Sequence, residues 1–193
     1  MDNIKPISFI TFLSQFDMMT KDAIIATENR LERLSLHKKH LLLKRGNVCN
    51  YLYFIEKGLA RNFYMQDKTD LTNDIVLEGE LLVSFDSFIS RQPSNESLEL
   101  LEDCEITALH YDDLQELYRQ FPIMERVGRL IAEYNFNSLV TRNYQLKFLS
   151  ATERYEHFFK TKVELVRRAP IGVIASFLGM SIETLSRIRS KVG

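Results

Sequence analysis

Apolar positions recur along this chain at different spacings, and the spacing changes character twice. Over residues 1–40 the pattern is helical. In "TKDAIIATENRLERLSLHKKHLLL", Thr20 suits an N-cap, and Ile24, Ile25, Leu31 and Leu34 follow at helix-like steps. From Leu41 the texture shifts to short alternating or wholly apolar runs. They break at Arg45–Asn47, Lys57–Gly58, Gln66–Lys68 and Glu78–Gly79. Short strands between Gly- and Asp-bearing turns predict an all-β unit, a barrel or sandwich. "SLELLEDCEITALHY" continues it, with Leu98, Leu100, Ile106 and Leu109 among the apolar positions.

Helical spacing returns at "YDDLQELYRQFP". Pro122 then suits the first turn of a long helix, where its missing N–H costs nothing. Met124, Val127, Leu130 with Ile131, Tyr134, Ser138 and Thr141 form one stripe along it. Two such stripes packed together would make a dimer seam; a helix laying this face on its own core is the alternative. Further on, Ser150 and Glu153 fit a capping box, from which "ERYEHFFKTKVELV" runs. "RAP" interrupts, and two short helices meeting near Leu178–Met180 complete the pattern.

Charge divides the chain. The net charge is only −1, yet residues 142–193 sum to +6 and residues 1–141 to −7. A basic end on an acidic body suits a molecule that meets a polyanion with one end only. No stretch approaches a membrane-spanning run, and the first residues lack the basic start and apolar core of a signal peptide, so a cytoplasmic location is expected. Cys49 and Cys104 form no CxxC pair and read as structural thiols of a reducing compartment.

The closing stretch, "SFLGMSIETLSRIRSKVG", has few large apolar residues. A helix over residues 171–178 would bury Ile174, Ala175 and Leu178. Gly179 would take the positive-φ position that ends it, and Ser181 would cap the next helix. That second helix turns Leu185 and Ile188 inward and leaves Glu183, Ser186, Arg187 and Ser190 for a partner. This is the sequence form of a helix-turn-helix, whose second helix enters the DNA major groove. Arg187 can pair with guanine O6 and N7, and Glu183 can accept from cytosine N4. Ser181, Thr184, Arg189 and Lys191 suit phosphate, and Ile182 stands beside them on the leading turn.

"IASFLGMSIETLSRIR" resembles the helix-turn-helix of the Crp/Fnr bacterial transcription regulators, whose recognition segment reads as a hydroxyl residue followed by x-E-T-[VL]-[SG]-R. Ser181 to Arg187 fit it residue by residue. The resemblance implies an α+β chain in three parts. A double-stranded β-helix, a jelly roll like the cyclic-nucleotide-binding domain, takes residues 1–120. A dimerisation helix takes 121–146, and the helix-turn-helix takes 147–193. It further implies a cytoplasmic homodimer on a near-palindromic duplex, with RNA polymerase as a further partner. Residues matching Glu183 and Arg187 read bases in that family, and those matching Ser181 and Thr184 hold phosphates. Its members usually continue into a β-hairpin wing; the sequence stops at Gly193, so wing contacts are expected to be lacking here.

The same resemblance implies a nucleotide pocket built from G-E-x-[GA] and, about ten residues on, R-[ST]-A. Gly79 and Glu80 match the first segment. Counting back from "DCEI", the second falls on Ser94, Asn95 and Glu96, so a carboxylate stands near the place of the phosphate-neutralising arginine. Like charges 4 Å apart at an effective dielectric of about 20 repel by roughly 4 kcal/mol, which disfavours a cyclic nucleotide. Arg91 could replace the lost arginine only in a differently built loop. With Glu80 and Glu96 facing inward, an effector would be neutral or cationic; a roll without any effector pocket is the alternative.

Other chemistry finds little support. His37 and His40 form an HxxH pair beside cations with no acidic or Cys neighbour, so no metal is expected. Two lone cysteines cannot hold an iron–sulfur cluster. A cupin-type metal site would need an HxH, and none occurs; GxSxG and GxxxxGK[ST] are absent too. The sequence predicts neither an enzyme nor a resident cofactor.

Overall fold

The computed structural model of the protein describes residues 8–66 and 69–192. Two short helices, α1 (Phe9–Leu13) and α2 (Lys21–Glu28), open it, capped by the hydroxyls of Ser8 and Thr20. The helical pattern expected over residues 1–40, of which 1–7 lie outside the described residues, stops at Glu28, because Leu31–Leu36 is strand β1. Leu31 and Leu34 fit a helix face by spacing, yet they lie opposite Leu109 and Ile106 in an antiparallel ladder. Tertiary pairing overrides a local period that both structures tolerate.

The strands that follow are β2 (Leu41–Leu43), β3 (Tyr51–Lys57), β4 (Ala60–Gln66), β5 (Thr69–Val76), β6 (Leu81–Leu82), β7 (Glu96–Leu100) and β8 (Cys104–His110). Helix α3 (Phe85–Ser90) sits between β6 and β7. Two four-stranded antiparallel sheets result, ordered β1-β8-β3-β6 and β2-β7-β4-β5. Phe54, Ile55, Leu82, Leu98, Leu100 and Ile106 fill the space between them. The expected turn residues Asp67 and Lys68 lie outside the described residues.

One turn admits only glycine. Gly58 joins β3 to β4 at φ +107°, and a Cβ there would stand 2.4 Å from Cys104 Sγ and 2.8 Å from the Asp103 carbonyl. Gly58→Ala is therefore expected to cost about 1–3 kcal/mol through strain and overpacking, read as a lowered thermal midpoint. Cys104 and Cys49 are buried and unpaired, and burial pushes both thiols up.

Helix α4 (Tyr111–Gln120) leads into α5 (Pro122–Phe148), 27 residues long with Pro122 in its first turn. Its expected dimer stripe divides. Met124, Val127 and Ile131 are buried in the roll's own core and form no seam; Tyr134 and Ser138 are exposed. The first turns of α5 lie on the roll; beyond Ile131 the helix is mostly exposed, with Tyr134 meeting the Phe16 ring and Arg142 the edge of β5.

Ser150 makes the predicted capping box for α6 (Ala151–Thr161). The helix expected to run on through Val166 breaks at Lys162 (φ −132°, ψ 49°) before α7 (Val163–Arg168). Helices α8 (Ile171–Phe177) and α9 (Ile182–Val192) close the described chain. A second core joins these helices to the roll: Tyr155, Phe158, Leu165, Ile174 and Leu185 pack with Leu59, Ile75 and Leu101. Among the described residues no single helix is long and apolar enough to cross a membrane.

Candidate nucleic-acid interface

Helices α8 and α9 turn through 98° across four residues. The turn closes as a Schellman motif: Met180 N–H donates to Ala175 C=O and Gly179 N–H to Ser176 C=O, both at 3.0 Å. Gly179 adopts φ +64°, as its place in the sequence predicts. Arg154 of α6 pins the same turn, donating to the carbonyls of Leu178 (2.8 Å), Gly179 (3.3 Å) and Leu149 (2.6 Å). Its role was not legible in the sequence, since its partners are main-chain oxygens brought near by folding.

The Ser181 hydroxyl accepts from Thr184 N–H at 3.2 Å and so starts α9. Leu185 and Ile188 are buried beneath the helix, while Ser181, Ile182, Glu183, Ser186, Arg187, Ser190 and Lys191 are exposed. Among the described residues no hydrogen bond or ion pair engages the Arg187 guanidinium. The Glu183 carboxyl is held below the usual carboxylate range by its own N–H and the Ser181 hydroxyl, so at neutral pH it is an acceptor. Arg189 departs from expectation: it turns back to donate to Val166 C=O at 3.3 Å and is half-buried. A helix can offer a partner only one side, and Arg189 follows the buried Ile188 around the other.

A groove of about 290 Å³ runs beside α9, lined by Ala151, Thr152, Thr184, Arg187, Ile188 and Lys191. It brings the first turn of α6 next to the recognition candidates. Thr152 was absent from the sequence candidates; a capping box beside a basic helix would have been the signal for it.

The proposed effector residues do not form one cluster of this kind. Gly79 (φ +83°) reverses the chain after β5, and Glu80 accepts from Leu77 N–H at 2.9 Å. Its other oxygen takes the Lys162 ammonium at 2.7 Å. Glu80 thus faces the helical domain instead of the roll interior. Ser94 and Glu96 are buried and Asn95 is exposed. Ser94 Oγ lies 2.8 Å from Ser84 Oγ and accepts from Glu96 N–H, while the Glu96 carboxylate takes Asn73 Nδ2 at 2.7 Å. Arg91 caps α3 at φ +59°. Its guanidinium is engaged by Cys49 C=O (2.7 Å), Phe88 C=O (3.2 Å) and Asn50 Oδ1 (2.5 Å), over the Tyr111 ring. It is already committed to that loop.

Ion pairs join the roll to the helices. Arg168 meets both oxygens of Glu78 at 2.8–2.9 Å and reaches Glu102 at 2.6 Å. Burial works to raise the Glu78 carboxyl, but hydrogen bonds from Arg168 and Gly58 N–H prevail and hold it below the usual range. A depressed carboxylate contributes stability that is present above its unfolded value, about 4.3, and is lost as pH falls through the folded one. Arg168→Gln is therefore expected to lower the thermal midpoint by a few degrees at pH 6–7. The gap from the unaltered chain should close below about pH 4 in melts run across that range.

Comparison with known proteins agrees with this architecture. Residues 33–121 match the family model of the cyclic nucleotide-binding domain. An anaerobic regulatory protein of Pasteurella multocida is 24% identical over 184 residues, covering 86% of this chain; the chain spans 64% of that relative's length. The structure of FixK2 from Bradyrhizobium japonicum matches with a TM-score of 0.70 at 18% identity, covering 84% of each chain. A structure from Eubacterium rectale described as a Crp/Fnr-family transcriptional regulator also gives 0.70, at 14% identity over 93% of this chain and 86% of its own. The chain thus has the fold seen in these regulator structures, and residues 33–121 resemble a cyclic nucleotide-binding domain.

Proposed function

We propose that the chain is a sequence-specific DNA-binding transcription regulator that acts as a homodimer on a near-palindromic site, with α9 as the recognition helix. The observation that carries this reading is the division of α9. Leu185 and Ile188 anchor it, while Glu183 and Arg187, one turn apart, stand exposed and uncommitted to each other. Ser181, Thr184, Lys191 and the first turn of α6 lie beside them to take phosphate. The +6 charge of residues 142–193 favours the same polyanion.

The second copy docks on the outer half of α5. Ala132, Phe136, Leu139, Asn143 and Leu146 are exposed there at alternating four- and three-residue steps. That is a heptad seam, displaced from the stripe that the roll consumes, and an Asn at a core position favours one register and a pair of helices. The working division is residues 1–120 for the effector-type domain, 121–146 for the dimer helix and 147–193 for the reading head.

The roll is not a cyclic-nucleotide sensor in this reading. The position of the phosphate-neutralising arginine is Ser94, already bonded to Ser84, with the buried Glu96 carboxylate two residues on. Arg91 is held elsewhere. Fluorescence anisotropy with a palindromic duplex, across a salt series, tests the DNA-binding reading. About three phosphates neutralised per protomer give a log K against log salt slope of roughly −5. A flat slope contradicts it, and addition of cyclic AMP should leave the affinity unchanged.

A further inference from the structure

Strand β5 is the outer strand of its sheet, so one row of its N–H and C=O groups has no strand partner. Opposite Asn62 and Phe63 of β4, the register skips Asn73, which bulges out of the ladder. Two side chains from other parts of the molecule fill this edge. Ser176 of α8 accepts from Thr72 N–H at 2.8 Å, its hydroxyl 3.4 Å from the Asp70 carbonyl. Arg142 of α5 donates to Asn73 C=O, to Thr72 C=O at 3.4 Å and to Phe177 C=O at 3.0 Å. Its guanidinium lies 4.0 Å from the centre of the Phe177 ring. One arginine therefore ties together the roll edge, the long helix and the first helix of the helix-turn-helix.

We propose that Arg142 and Ser176 bolt the reading head to β5 and so fix the spacing between half-sites that the dimer accepts. This rests on the reading of the chain as a dimeric DNA-binding regulator. Only Leu149 and Ser150 separate α5 from α6, a two-residue joint about which an untied head would swing. The apolar core around Leu59, Ile75 and Leu101 and the pairs of Lys162 with Glu80 and of Arg168 with Glu78 and Glu102 hold the head on one side, and the bolt fixes its remaining swing at the β5 edge. DNA makes a full turn in 10–10.5 base pairs, so each pair added between half-sites moves one of them by roughly 3.4 Å and turns it by about 35°. A bolted head cannot follow both displacements; a swinging head can, at the cost of being ordered on binding.

The test uses the full chain and a set of duplexes built from its selected palindrome, with the central spacer lengthened or shortened by up to two base pairs. The unaltered protein should prefer one spacing by roughly thirtyfold or more. The Arg142→Gln, Ser176→Ala double variant should bind that spacing about tenfold more weakly and bind its neighbours within roughly threefold of it. Its penalty for base changes within a half-site should be unchanged. Ser176→Ala alone, which removes one hydroxyl, should broaden the profile part of the way and guards against misfolding of the double variant. Hydrogen exchange at residues 149–150 should quicken in both. A folded variant that keeps the sharp spacing profile overturns the bolt but leaves the regulator reading intact. An unaltered chain that binds no duplex overturns both.

Discussion

Replacing Arg187 by Ala is expected to relax selection at one base position in each half-site of the palindrome while leaving the protein folded. A bidentate arginine–guanine contact is worth about 1–3 kcal/mol of discrimination, and a two-fold dimer makes it twice, so the loss is about 2–6 kcal/mol in all. Arg187 is exposed and holds nothing else in place among the described residues, so its removal opens no cavity. The lost selectivity should fall on one position in each half-site. Lys191→Ala is the control: it removes a phosphate contact, weakens all sequences about equally and lowers the salt slope by about 1 per protomer. Anisotropy with matched and single-base-changed duplexes separates the two outcomes.

Replacing Phe136 by Glu is expected to leave a monomer that no longer holds the palindrome. Phe136 is 65% exposed and central to the outer face of α5. In the proposed dimer its burial contributes about 2–3 kcal/mol per copy, and the substitution sets two carboxylates against each other across the seam. Met124→Ala on the same helix gives the contrast. Met124 is 2% exposed and packs inside the roll core, so its truncation should cost about 2–5 kcal/mol of stability without altering the oligomeric state of the folded chain. Analytical ultracentrifugation and thermal melts read the two effects independently. A Phe136→Glu protein that remains dimeric tells against the outer face as the seam.

That contrast also shows what the sequence could and could not disclose. The helix-turn-helix was legible almost residue by residue, because each part is local: Gly179 must take positive φ, Ser181 must cap, and Leu185 and Ile188 share one side of a short helix. The alternating strands from Leu41 onward were legible for the same reason. Leu31–Leu36 was not, since its strand character comes from pairing with β8, more than 60 residues away. Nor was the division of α5, because a stripe of apolar residues does not say which neighbour will cover it. The partner of Glu80 was not legible either; only the folded chain shows its carboxylate drawn to Lys162. Arg142, Arg154 and Arg189 act on main-chain carbonyls, which leave no trace in the pattern of side chains.

The central claim is that α9 reads base edges as one of a symmetric pair. The most direct measurement is selection of bound duplexes from a random pool by the full chain. The expected result is an inverted repeat whose half-sites lie about one DNA turn apart, each holding a guanine lost on Arg187→Ala and a cytosine lost on Glu183→Ala. A bound pool with no two-fold motif, or one that the Arg187 substitution leaves unchanged, would contradict it.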